Sequence, residues 1–145
     1  MTLLTADLRY ALRANDIARR AALRNEKPEP DPFPVVKIFN PFGAATWLAS
    51  ELDNDGDTLF GLADLGFGCP ELGAFRLSEM EAIRLLGGLG LERDQYFTAR
   101  FPLSVYAEAA RIAGSIIEAA PLLSTIARAR GLLAPRGPEL PPKGG

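Results

Sequence analysis

The stretch TWLASELDNDGDTLFGLADLG, residues 46 to 66, constrains the fold more than any other part of the chain. Two apolar runs of strand length flank Asn-Asp-Gly, whose short polar side chains and glycine reverse a chain tightly. A β-hairpin follows, and with it an antiparallel sheet. A three-residue loop puts Gly56 in the left-handed position and Asp53 opposite Asp57. That register pairs Glu51 with Leu59 and Leu48 with Leu62. It stacks Leu48, Leu52, Phe60 and Leu62 on one face and leaves Trp47 and Glu51 on the other. A two-residue Asp55-Gly56 turn would shift the register and the faces with it.

Other elements are placed around this hairpin. Thr5 caps a helix over 5–25 whose apolar residues return every three or four positions, with Arg9, Arg13, Arg20 and Arg24 on its flanks. Asp7, Asp16 and Glu26 sit among these arginines, so the face reads as a solvated amphipathic surface before it reads as a grip for nucleic acid. The proline-rich stretch 27–34 is a linker, and PVVKIF gives a strand over 35–39 with Lys37 pointing away from the core. LGAFRL, 72–77, alternates as a strand. Ser78 and Glu81 then form a capping box ahead of a short helix that ends at Gly87-Gly88. RDQYFTARF offers an edge strand near 93–99. Pro102 opens a helix striped by Val105, Ala109, Ile112 and Ile116, and Pro121 separates it from a last helix, LLSTIARARGLL.

At 145 residues and 48% apolar content, the chain supplies one core and not two. The expected class is α+β: an antiparallel sheet of four or five strands with helices on one face, plus a C-terminal helical extension. Residues 1–120 form the single domain, with sheet and helices over 35–118. Residues 121–133 form the extension, and 134–145 a disordered Pro/Gly tail. Residues 31–90 hold three Lys/Arg against nine Asp/Glu, while the segments on either side carry a small positive excess. A phosphate-gripping centre is thereby disfavoured, and any nucleic-acid contact falls to the flanks.

The absence of histidine removes His-ligated metals and His-based triads, and a lone Cys69 removes an internal disulfide. No signal layout and no membrane span are seen, so a reducing cytoplasm is the expected setting. Cys69 lacks a base and an electropositive neighbourhood, and reads as a small packing residue. Read as a calcium loop, Glu51, Asp53, Asp55 and Gly56 occupy ligand-like positions, but Leu62 stands where the bidentate glutamate belongs. The hairpin-turn reading is preferred.

The sharper rival is a Mg²⁺-dependent nuclease. Glu51, Asp64 and Glu71 would gather at one end of the sheet to hold the ion, with Lys37 stabilising charge. The carboxylate-x-Lys step common in such sites is missing, because Leu52 and Asp53 follow Glu51. Trp47 is the only tryptophan. It is the candidate binding residue if its face is open, and a core residue if a helix or the 65–72 loop covers it. The terminal Gly-Gly resembles a ubiquitin-like tail, but no β-grasp order precedes it. The apolar set Ile112, Ile116, Leu123 and Ile126 would be buried by a homodimer through 112–130, or by docking on the chain's own N-terminal helix.

KIFNP, TWLASELD, FGLADLG, PELGAF leading into LSEMEAI, and LERDQYF followed by PLSVYAEAARIAGSII together resemble a bacterial family known as a domain of unknown function, number 2958, over about residues 31–117. The resemblance implies a small cytoplasmic protein encoded on plasmids and other mobile elements, with no established catalytic residues. Some relatives carry a name for a single-stranded DNA endonuclease. FNPFG replaces the FTPDA of relatives, so an acidic group is absent there. The resulting expectation is a non-enzymatic accessory or interaction protein with a protein partner and no cofactor. The alternative is the single-stranded DNA endonuclease with Mg²⁺.

Overall fold

The hairpin forms, and the computed structural model, which describes residues 2–134, shows why its register differs from the simplest reading. β2 (Thr46–Leu52) pairs antiparallel with β3 (Thr58–Asp64). Leu48 faces Leu62, and a β-bulge between Ala49 and Glu51 sets Glu51 opposite Phe60 and Leu52 opposite Leu59. The N–H of Asp53 donates to the Thr58 carbonyl, so the loop closes one residue later than the three-residue form. The extra residue of a bulge turns the side chains after it to the other face. Leu52 therefore joins Trp47 and Glu51 joins Leu48, while Phe60 stays on the Leu48 face as expected. Gly61 lies against the bulged strand, where a Cβ would come within 1.9 Å of the Leu48 carbonyl oxygen.

Around this pair the sheet grows to five strands in the order β4-β3-β2-β1-β5, with every pairing antiparallel. β1 is Val36–Phe39, β4 is Glu71–Arg76, and β5 is the two-residue Glu92–Arg93. The edge strand expected over 93–99 is thus confined to its first residue.

α1 (Ala6–Arg24) begins at Thr5, whose hydroxyl accepts the Leu8 N–H. α2 (Leu77–Ala82) follows β4 directly, capped at Arg76. The expected capping box does not form. Asp57 takes the Ser78 N–H and hydroxyl, and the Glu81 carboxylate accepts the N–H of Leu3. A partner distant in sequence has outcompeted the local one. α3 (Leu103–Ala113) stops at Gly114 in the left-handed conformation, a 3-10 segment runs Ile117–Leu122 through Pro121, and α4 is Leu123–Ala129.

The α+β class, the five-stranded antiparallel sheet and the C-terminal helix are as expected. Helical cover, however, lies on both faces. Val36, Ile38, Trp47 and Leu59 pack with Leu12 of α1 and with Leu77 and Met80 of α2. Leu48 and Leu62 pack with Val105 and Ala109 of α3 and with Leu123 and Ile126 of α4. Each fully buried aliphatic side chain contributes about 1.5–3 kcal/mol. The C-terminal apolar set is therefore covered by α3 and the sheet, not by α1. Ile116, Leu123 and Ile126 are buried, while Ile112 stays 61% exposed. Among the described residues no single helix is long and apolar enough to cross a membrane. The proposed tail lies, beyond Ala134, outside the described residues.

Candidate interaction site

The acidic hairpin is saturated by its own chain. Positions 9, 13, 16 and 20 return to one side of α1 at steps of three and four. From there Arg9 donates to the Gly56 carbonyl at 2.9 Å, Arg13 to the Leu52 carbonyl at 2.6 Å, and Arg20 reaches the Asp53 carboxylate at 3.3 Å. Asn15 donates to the Ser50 carbonyl at the bulge, and Arg19 donates to Glu51 at 2.7 Å. Arg9, Arg13 and Arg19 are thus half-buried against the hairpin, Arg20 is paired but exposed, and Arg24 lies exposed. Asp16, only 2% exposed, organises this face. Burial alone would push its carboxyl up, but hydrogen bonds from Arg13 and Arg20, with their charges, hold it below the usual value. The Glu51 carboxylate in turn raises the Arg19 guanidinium.

The turn carboxylates shape the backbone. Asp55 accepts from the Thr58 hydroxyl and from the N–H groups of Thr58 and Asp57, which lower it to about 2. Asp57 accepts from the Ser78 N–H and hydroxyl and from Arg76 Nε, and is also lowered. This ties the hairpin tip to the β4–α2 junction.

The carboxylates considered for magnesium are not brought together. Glu51 lies opposite Phe60, four residues along β3 from Asp64, a separation of roughly 13 Å. Asp64, with no exposed surface, accepts the N–H of Gly66 and the N–H of Ile116, each at 2.9 Å, and so clips the start of the 3-10 segment to the end of β3. Glu71 faces Ala63, so strand alternation sends it to the face opposite Asp64. Among the described residues no group of three or more His, Cys, Asp or Glu can hold a metal ion. Trp47 is 7% exposed and packed in the α1-side core, which corrects its candidacy as a binding residue. Cys69 is exposed, not packed.

Two of these candidates line cavities: Glu51, already paired with Arg19, borders one of about 290 Å³ beside Asp16 and Asp53, and Lys37 borders a larger one. Lys37 sits on β1, its Nζ 3.9 Å from Asp94, in a cleft of about 430 Å³ framed by Phe39, Asn40, Arg93 and Tyr96. Arg93 is fixed by donating to the Leu3 carbonyl at 2.6 Å. Sequence reasoning missed this cleft because it joins KIFNP to ERDQY, two segments more than fifty residues apart, through the short β1–β5 pairing. Beside it lies an apolar rim. Ile117 lines the cleft, and the 65–70 loop lies between the β1–β2 turn and the end of α3, with a Cβ at Gly66 falling 3.5 Å from Ala44 and one at Gly114 3.9 Å from the Gly68 carbonyl oxygen. On this end of the sheet Phe42 is 57%, Leu65 57%, Phe67 82%, Ile117 54% and Tyr96 94% exposed. Large apolar side chains gathered in the open mark contact surfaces.

Fold and site together define a small α+β protein whose N-terminal helix locks an acidic hairpin and whose opposite sheet end presents an apolar, cleft-bearing surface. Residues 3–117 match the family model described as protein of unknown function (DUF2958), and the chain belongs to that family. The match takes in α1 as well as the sheet, which accords with the helix being integral to the hairpin. No curated protein and no solved structure matches the chain significantly.

Proposed function

We propose that this protein is a non-enzymatic accessory or interaction protein that engages a protein partner through the open end of its sheet. The observation that carries this reading is the concentration of Phe42, Leu65, Phe67, Ile117 and Tyr96, all more than half exposed, around the Lys37–Arg93 cleft. Aromatic anchors with a nearby arginine are the usual composition of binding hot spots. The hairpin carboxylates, each already engaged by α1, the turn or α2, support a structural role for that region. A cytoplasmic setting on a plasmid or other mobile element suits such an accessory role.

A photoreactive phenylalanine at position 67, expressed in the native host, tests the reading, with the same group at exposed Leu86 as control. The expected result is a discrete protein adduct at position 67 and none at 86. Equal labelling at both positions, or none at 67, contradicts the proposal.

A further inference from the structure

The sheet has two edges, and they differ. β5 closes one with two residues, whereas β4 exposes six with no proline, lysine or bulge to blunt them. Glu71, Leu72, Ala74 and Arg76 are all exposed. The phase of β4 follows from its end. The Leu77 N–H donates to the Asp57 carbonyl at 2.8 Å, in register with the β3–β4 ladder. Antiparallel residues alternate which neighbour their peptide groups address. Glu71, Gly73 and Phe75 therefore turn theirs to β3, and Leu72, Ala74 and Arg76 turn theirs outward, unpaired among the described residues.

We infer that β4 pairs antiparallel with β4 of a second copy of this chain, about a two-fold axis at Ala74, doubling the five-stranded sheet. Two-fold pairing sets one residue opposite itself. Centring on Ala74 uses every outward group, with Leu72 opposite Arg76 on each side of the axis and about six main-chain hydrogen bonds formed. Charge agrees with the direction. Glu71 falls opposite Leu77 and Arg76 opposite Leu72, so antiparallel pairing about Ala74 sets no like charges opposite, whereas parallel in-register pairing would align Glu71 with Glu71 and Arg76 with Arg76. Shape agrees as well. Gly73 falls opposite the second copy's Phe75, and nothing lies within 4 Å of where a Cβ at Gly73 would sit, leaving room for the ring.

The test is sedimentation equilibrium of the full chain from micromolar to hundreds of micromolar, with three variants at outward positions. Wild type should show a reversible monomer–dimer equilibrium. Leu72→Lys sets like charges opposite Arg76 and should weaken the dimer, while Leu72→Glu sets opposite charges there and should tighten it. The two variants should differ by roughly tenfold in dissociation constant. Ala74→Pro removes an outward N–H that β3 does not use and should abolish the dimer with an unchanged circular-dichroism spectrum. A wild type monomeric throughout, or a dimer indifferent to the sign of charge at position 72, would overturn the inference.

Discussion

Replacing Asp64 separates a structural carboxylate from a catalytic one. In the folded chain Asp64 accepts two backbone N–H bonds, from Gly66 and from the buried Ile116, and has no exposed surface. Asp64→Asn keeps the volume but leaves one oxygen for two donors, so one N–H faces an amide NH2. Losing one hydrogen bond to a charged acceptor costs about 1.5–3 kcal/mol. Asp64→Ala orphans both donors and should cost roughly 3–5 kcal/mol. Opposing this is the desolvation of a buried carboxylate, which neutral substitution relieves. Two well-aligned donors are expected to win. Urea unfolding followed by the fluorescence of buried Trp47 and by far-ultraviolet circular dichroism measures the balance. An Asp64→Asn variant as stable as wild type, or more stable, would refute the reasoning, since neutralising a residue kept for chemistry commonly stabilises a fold.

Three further outcomes are expected. Asp55, fully exposed but held by Thr58 and the turn amides at about 2, has its folded value below the unfolded 3.8. Its stabilisation is thus complete above the unfolded value and lost as pH falls toward 2; a carboxyl carbon titration by NMR with a midpoint near 4 would contradict this. Trp47→Ala should cost roughly 3–5 kcal/mol in urea unfolding followed by circular dichroism alone, because it empties a large core site; a loss under 1 kcal/mol would mean that the side chain is not packed. A chain ending at residue 120 removes Leu123, Ile126 and Ala127 from the α3-side core and should lose roughly 3–6 kcal/mol in urea unfolding; unchanged stability would mean that α4 does not dock on its own chain.

Local signals were legible where local chemistry decides. Thr5 marked the start of α1, Gly56 the turn, and the spread of apolar runs the antiparallel sheet. What escaped was set by distant partners. The bulge near Ser50 leaves no mark in composition, yet it moved Glu51 and Leu52 to opposite faces from those expected. Ser78 looked like a cap because Glu81 stands three residues on, but Asp57 and Leu3 claimed the two side chains. The arginines of α1 alternate with acids in the sequence, and only the fold shows that their main partners lie in the hairpin. The cleft depends on a two-residue pairing of β1 with β5 that no periodicity announces.

The most direct test of the central claim, that the acidic residues serve architecture and not catalysis, is incubation of the purified full chain with labelled single-stranded DNA. Mg²⁺ or Mn²⁺ is supplied in parallel with a chelator control. The account predicts intact strands under every condition, because Glu51 is paired with Arg19 and Asp64 is occupied by two backbone amides at the far end of the strand. Metal-dependent cutting that disappears in folded Glu51→Gln or Asp64→Asn protein would contradict it.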